Sequence, residues 1–248
     1  MEWPKISIII PCYNYQDYVL DCIDSCFRQD YKGKYEVIVI DDCSTDRSVY
    51  FIDKFFRGRV TLIQFKQNCG YSKAKNEGII RSTGKYITTI DADDMLTDDS
   101  LTIRASRLAN NNIVLVHGRA YTIKGEGGYD YWYKRRYKCH CNPRTKIHAQ
   151  TVMMKREVYL KYGLYDELLR SRSDNEMWCR LRNVAGIGHS MYYIDHAMAY
   201  YRKHDKSMIE YRKNNPRYNF DVTEKLKTQK YLREVNGITK YNTRMLEK

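Results

Sequence analysis

Short apolar runs alternate with amphipathic stretches through the first hundred residues, and that alternation predicts the architecture. Residues 6–10 are apolar except for Ser7 and predict a buried strand that Pro11 stops. Residues 17–28 carry apolar side chains at 19, 20, 23, 26 and 27, the spacing of one helical face. The pair then repeats. Residues 35–40 read as a second strand, with a helix through Phe56, and residues 59–65 as a third strand. Residues 72–82 form a helix with Ala74 and Ile79 inward, closed by Gly84, and the β-branched and aromatic run 86–90 is a fourth buried strand. Strands joined by crossover-length helices imply a parallel sheet, whose ligands bind outside the carboxyl ends of its strands.

Beyond Asp94 the pattern loosens. Residues 100–110 predict a helix, 113–122 a strand, 151–154 a short apolar strand and 157–162 a short helix. Residues 174–182 read as a helix with Met177, Trp178 and Leu181 on one face, and residues 192–201 as a strand. The stretch 124–146, rich in Gly, Tyr and Arg, has little periodicity and is expected to be a mobile loop serving as an acceptor-side lid. A basic extension over 206–248, helical from about residue 220, follows a domain over 1–205.

Composition changes the picture little. With 43% hydrophobic and 29% charged residues the 248-residue chain is globular, and no run approaches the roughly 18 apolar residues of a membrane span. The first residues lack a signal-peptide pattern, so a cytoplasmic location is the expectation, with peripheral membrane contact open through the basic tail. The eight cysteines have no paired CxxC spacing and are expected to be reduced; Cys139-His-Cys141 with His148 nearby is a poor zinc candidate. The net charge of +13 raises polyanionic partners, and nearly half of it, +6, lies within 206–248.

Candidate chemistry sits at the predicted strand ends. Pro11-Cys-Tyr-Asn14 follows the first strand, Asp41-Asp42 the second, and Asp91-Ala-Asp-Asp94 the fourth, so three separate regions point at one crevice. Asp91 and Asp93 are spaced to lean the same way and to face one hard, oxygen-seeking cation, Mn²⁺ or Mg²⁺. An isolated acidic triplet more often caps the following helix, and it is the convergence with the other strand ends that favours a site. Neither GxGxxG nor GxxxxGK[ST] follows the first strand, which argues against a dinucleotide-binding or P-loop enzyme.

Four ordered blocks, Ser7-Ile-Ile-Ile-Pro-Cys-Tyr-Asn14, Val37-Ile-Val-Ile-Asp-Asp-Cys-Ser-Thr-Asp46, Asn68-Cys-Gly-Tyr-Ser-Lys-Ala-Lys-Asn76 and Gly84-Lys-Tyr-Ile-Thr-Thr-Ile-Asp-Ala-Asp-Asp94, resemble those of the family 2 glycosyltransferases. Gly163-Leu-Tyr-Asp-Glu167, Ser173-Asp-Asn-Glu-Met-Trp-Cys-Arg-Leu181 and Tyr201-Arg-Lys-His204 extend the resemblance to about residue 205. It implies an α/β GT-A fold with a mostly parallel sheet, a nucleotide-sugar donor, a divalent metal and inversion at the anomeric carbon. Carried over by position, Pro11, Tyr13 and Asp41 hold the nucleoside, Lys75 stands where relatives commonly have an arginine at the base, Asp91 touches the ribose or metal shell, and Asp93 and His204 serve the metal. The general base is the second acid of a Glu-Asp pair four residues before a tryptophan, which gives Asp174 before Trp178, with Ser173 replacing the first acid. Glu176 is a competing carboxylate, though two residues along a helix point away from each other.

The expected activity is therefore transfer of a sugar from a nucleoside diphosphate, UDP foremost, to a hydroxyl of a glycan, lipid-linked glycan or protein. Two alternatives stand beside it. A sugar nucleotidyltransferase would carry a Gly-rich loop ending in Arg and Lys after the first strand, which Pro11-Cys-Tyr-Asn14 does not resemble. A non-catalytic binder of nucleic acid or an anionic surface would answer the +13 charge, but acids converging on the crevice would repel phosphates unless a metal were present.

Overall fold

The computed structural model describes residues 3–124, 147–169, 173–183, 186–205 and 207. In chain order the first elements are β1 (Ile6–Cys12), α1 (Val19–Phe27), β2 (Tyr35–Asp41), α2 (Ser48–Phe56), β3 (Thr61–Gln64), α3 (Tyr71–Arg81) and β4 (Tyr86–Thr89). They are followed by β5 (Met95–Leu96), α4 (Ser100–Leu108), β6 (Leu115–Lys124), β7 (Met153–Lys155), α5 (Arg156–Tyr162), α6 (Ser173–Asn183) and β8 (Met191–Lys203). One sheet has the order β3-β2-β1-β4-β7-β6-β8-β5. β3, β2, β1 and β4 run parallel, as do β6 and β8, whereas β7 lies antiparallel to β4 and β6, and β5 antiparallel to β8.

Side-chain alternation along the strands divides the core between the two faces of this sheet. Ile6, Ile8 and Ile10 of β1, Val37 and Val39 of β2, and Tyr86 of β4 pack on one face with Val19, Cys22, Ile23 and Cys26 of α1, Ile52 of α2 and Leu101 of α4. Ile9, Ile38, Ile40 and Ile87 point the other way, against Ala74 and Ile79 of α3, Val158 of α5 and Met177, Trp178 and Leu181 of α6. Covered on both faces, the strands read as near-continuous apolar runs. Gly78 lets α3 lie close on the sheet, because a Cβ there would come within 2.3 Å of Ile9 Cγ2.

Three expectations need correction. Pro11 does not stop β1, which continues to Cys12 with Pro11 opposite Ile40. The Ile9 carbonyl accepts from Ile90 of the β4 segment and the Cys12 carbonyl from Asp42 after β2, so alternation turns the proline nitrogen toward β4, where strand pairing has already ended at Ile9↔Thr89. No ladder bond is lost there, which removes the usual penalty. The predicted strand over 151–154 is a 3₁₀ turn at Ala149–Thr151 followed by β7, shifted toward Lys155 by its pairing with Tyr86. β5 went unpredicted because two residues carry no periodic signal; its pairing with Ala199 and Tyr200 of β8 creates it.

The expected lid at 124–146, the Cys139-His-Cys141 cluster and the tail over 206–248 fall outside the described residues except at Lys124 and Ser207. The six described cysteines, Cys12, Cys22, Cys26, Cys43, Cys69 and Cys179, are free thiols, as expected.

Candidate active site

The acids after β4 form the centre. One ligand oxygen from each of Asp91, Asp93 and Asp94 can lie within 4.8 Å of the others. The turn that gathers them is closed by the Asp94 amide donating to the Asp91 carbonyl at 2.9 Å. Asp91 Oδ1 accepts from the Tyr71 hydroxyl at 2.5 Å and Oδ2 from Gln150 Nε2 at 2.6 Å. Asp94 Oδ1 accepts from the Arg202 amide at 2.8 Å, and its buried Oδ2 has no hydrogen-bond partner among the described residues. Burial, reinforced by Asp93 and Asp91, holds Asp94 well above the ordinary carboxylate range, and enclosure by protein with Asp93 alongside raises Asp91 as well. Such a cluster repels itself. Its all-oxygen donor set, with the orphaned Asp94 Oδ2, fits a hard divalent cation such as Mg²⁺ or Mn²⁺.

β8 brings the distant end of the domain to this centre. Its backbone holds Asp94, and just past it His204 Nε2 lies 2.9 Å from Asp93 Oδ2. Tyr15 and Tyr18 box in the imidazole, with ring centroids 6.1 and 4.6 Å away. Burial, with Asp93 and Asp91 nearby, raises the Tyr15 phenol above its ordinary range. The Arg202 guanidinium donates to the Asp93 carbonyl at 3.1 Å and to Asp21 at 3.0 Å, tying β8 to α1.

The turns after β1 and β2 lock together. Asn14, in the left-handed region at φ 58°, accepts from the Thr45 amide through Oδ1 at 2.8 Å, and its own amide donates to Ser44 Oγ at 2.9 Å. Asp41 Oδ2 accepts from the Ser44 amide at 3.1 Å, whereas buried Asp41 Oδ1 has no hydrogen-bond partner among the described residues. That orphaned acceptor suits an N–H donor from a ligand. Pro11 lies inside β1, and Tyr13, just after that strand, is 43% exposed. Asp42 plays another part, accepting from the amides of Cys69 and Gly70 at 2.6 and 2.8 Å to fix the approach to α3.

Lys75 and Asp174 meet across the second face of the sheet. Lys75 Nζ, fully buried on α3, lies 2.6 Å from Asp174 Oδ1 in the first turn of α6. It also donates to the Tyr71 hydroxyl at 3.3 Å. Its hydrogen-bond partners are thus Asp174 and Tyr71, the second of which is bonded in turn to Asp91. Glu176 pairs with Arg180 at 2.9 Å, whereas Asp174 is joined through Lys75 and Tyr71 to Asp91. Tyr15, Tyr71, Asp94, Gln150 and Arg202 are parts of the site that sequence reasoning did not assign. Asp94, Tyr71 and Arg202 lie inside the motif blocks and Tyr15 directly after one, but Gln150 carries no signal at all.

The fold is thus a mixed, mostly parallel α/β sheet that gathers buried acids at its strand ends. The sequence profile described as Glycosyl transferase family 2 matches residues 7–209, and the chain belongs to that family. It is 38% identical over 120 residues to an uncharacterized glycosyltransferase of Haemophilus influenzae, covering 48% of each chain. Against the glycosyltransferase GlyG of Streptococcus pneumoniae it is 31% identical over 130 residues, 52% of this chain and 43% of the relative. The chain thus spans about half the length of these curated relatives. Among solved structures it resembles Staphylococcus aureus TarS 1-349 in complex with UDP, with TM-score 0.65 and 20% identity over 81% of this chain and 61% of the other. The mannosyltransferase PcManGT from Pyrobaculum calidifontis, in complex with GDP-Man and Mn²⁺, has TM-score 0.63 and 18% identity over 84% and 60% of the two chains. At these identities the likeness establishes the shared fold.

Proposed function

We propose that the chain is a metal-dependent, inverting glycosyltransferase that moves a sugar from a nucleoside diphosphate, UDP foremost, to an acceptor hydroxyl of a glycan, lipid-linked glycan or protein. The observation that carries the reading is the meeting of Asp93 with His204, more than a hundred residues away in the chain, beside Asp91 and Asp94. Asp93 and His204 are the residues to hold the cation, with Asp91 toward the ribose or the metal's water shell. Bound there, Mn²⁺ or Mg²⁺ offsets the charge that develops on the departing diphosphate.

The remaining work belongs to side chains of this chain. Asp41 Oδ1 accepts a base N–H, the exposed Tyr13 offers a stacking face, and Pro11, near the end of β1, borders the same nucleoside site. Asp174 takes the proton of the acceptor hydroxyl as that oxygen attacks opposite the leaving group. The test is release of nucleoside diphosphate from UDP-, GDP- and dTDP-sugars with Mn²⁺, Mg²⁺ or EDTA, comparing wild type with Asp93→Asn. Metal-dependent turnover of the sugars of one nucleotide, at least ~100-fold lower in the variant, is expected. Turnover indifferent to EDTA and to Asp93→Asn overturns the metal-dependent reading, and failure of every donor to bind in a thermal shift assay with metal overturns the activity.

A further inference from the structure

The buried lysine of α3 has no role in the chemistry described so far, and its surroundings specify one. Its ammonium is enclosed between the rings of Tyr71 and Tyr165, with centroids 4.7 and 4.2 Å away. A charge in such a place persists only when paired and hydrogen-bonded, and the pairing here is with Asp174. The direction of the hydrogen bonds is fixed. The Tyr71 hydroxyl spends its only proton on Asp91 Oδ1, so it meets Lys75 as an acceptor. Donation therefore runs outward from Lys75, to Asp174 on one side and through the Tyr71 hydroxyl to Asp91 on the other.

Building on the transferase reading, we infer that Lys75 is a positioning residue for the general base, joined through Tyr71 to the donor-side carboxylate Asp91, and that it makes no contact with the nucleotide. It grips one oxygen of Asp174 and leaves the other without a hydrogen bond among the described residues, on a carboxylate whose side chain keeps 22% of its surface exposed. That second oxygen takes the proton. The acceptor O–H bond breaks as the new bond to the anomeric carbon forms, and the electron pair of the anomeric carbon–oxygen bond leaves with the diphosphate. Fixing the base relative to Asp91 fixes it relative to the donor, since a misplacement of about 1 Å can cost on the order of a hundredfold in rate.

The experiment compares full-length wild type with Lys75→Met, Lys75→Arg and Tyr71→Phe. Methionine fills the volume of the lysine stem between the two rings, and the arginine variant keeps the charge should the methionine variant fold poorly. UDP binding with Mn²⁺, measured by calorimetry, is expected to stay within about threefold of wild type in Lys75→Met, while kcat falls at least 30-fold at nearly unchanged donor KM. Lys75→Arg should recover part of kcat, and Tyr71→Phe should fall between. A tenfold loss of UDP affinity with kcat retained would put Lys75 on the nucleotide and overturn the inference, as would wild-type values in both measurements. A wild type without turnover counts against the transferase reading alone. The crystal structure of Lys75→Met then decides the positioning role, which demands a displaced Asp174 carboxylate and is overturned by an unmoved one.

Discussion

At the scale of single residues, the informative groups are buried polar atoms that the fold leaves open or overcommits. Asp41 uses one oxygen on the Ser44 amide and leaves the other buried and without a partner among the described residues. Asp41→Asn keeps the shape and can still accept from Ser44, but presents an amide donor where a base N–H would arrive. The expected result is a 10- to 100-fold loss of nucleotide affinity by calorimetry, about 1.4–2.8 kcal/mol, with little change in melting temperature. Glu36 is the opposite case. Burial alone would raise its carboxyl, but hydrogen bonds from Ser7 Oγ at 2.6 Å, the Thr83 amide at 2.8 Å and Lys5 Nζ at 3.0 Å outweigh that and lower it to about 2. A depressed carboxyl stabilises the fold fully above its unfolded value near 4.5 and loses that contribution as pH falls toward 2. The melting-temperature gap between wild type and Glu36→Gln should accordingly be widest above pH 5 and narrow between pH 4.5 and 3. Sequence alone singled out Asp41 by its place after a strand. It had no means of singling out Glu36, whose partners come from β1, the residue before it and the turn before β4.

At the scale of elements, the strands were legible where burial on both faces makes them apolar throughout, and the helices where one face repeats at 3.6 residues. What the pattern did not carry was set by neighbours, as the extension of β1 through Pro11 and the two-residue β5 illustrate. Close approach between elements is equally silent in the sequence. Gly84, read there as a helix terminator, also lies against β1: a Cβ would meet the Ser7 nitrogen at 2.6 Å and the Ile6 carbonyl carbon at 2.8 Å, both backbone atoms that cannot swing aside. Its own amide donates to Ser7 Oγ at 2.8 Å, so strand and turn move together or not at all. Gly84→Ala should therefore cost about 1–3 kcal/mol in urea unfolding, well beyond the effect of an exposed substitution.

For the whole molecule, the decisive feature is that β8 returns to pair with both β6 and β5, carrying Arg202 and His204 to acids more than a hundred residues earlier. A chain ended at residue 190 would lose this strand, expose the edge of β6 and leave Asp94 Oδ1 without its backbone donor. Such a truncation should unfold without a sharp cooperative transition by circular dichroism and show no Mn²⁺-dependent thermal shift. The sequence by itself determined the class of fold, the parallel half of the sheet and the convergence of Pro11, Asp41 and Asp91 at its strand ends, because period, burial and strand polarity are local properties of the chain. It also identified Asp93, Asp174 and His204 as the residues to watch, through motif blocks that survive as contiguous stretches. Only the tertiary structure decided which of these meet: His204 with Asp93, Lys75 with Asp174 rather than with the turns after β1 and β2, and Gln150 with Asp91. Those pairings join residues 59 to 111 positions apart, and the packing of separate elements, which no local pattern encodes, is what brings them within hydrogen-bonding distance.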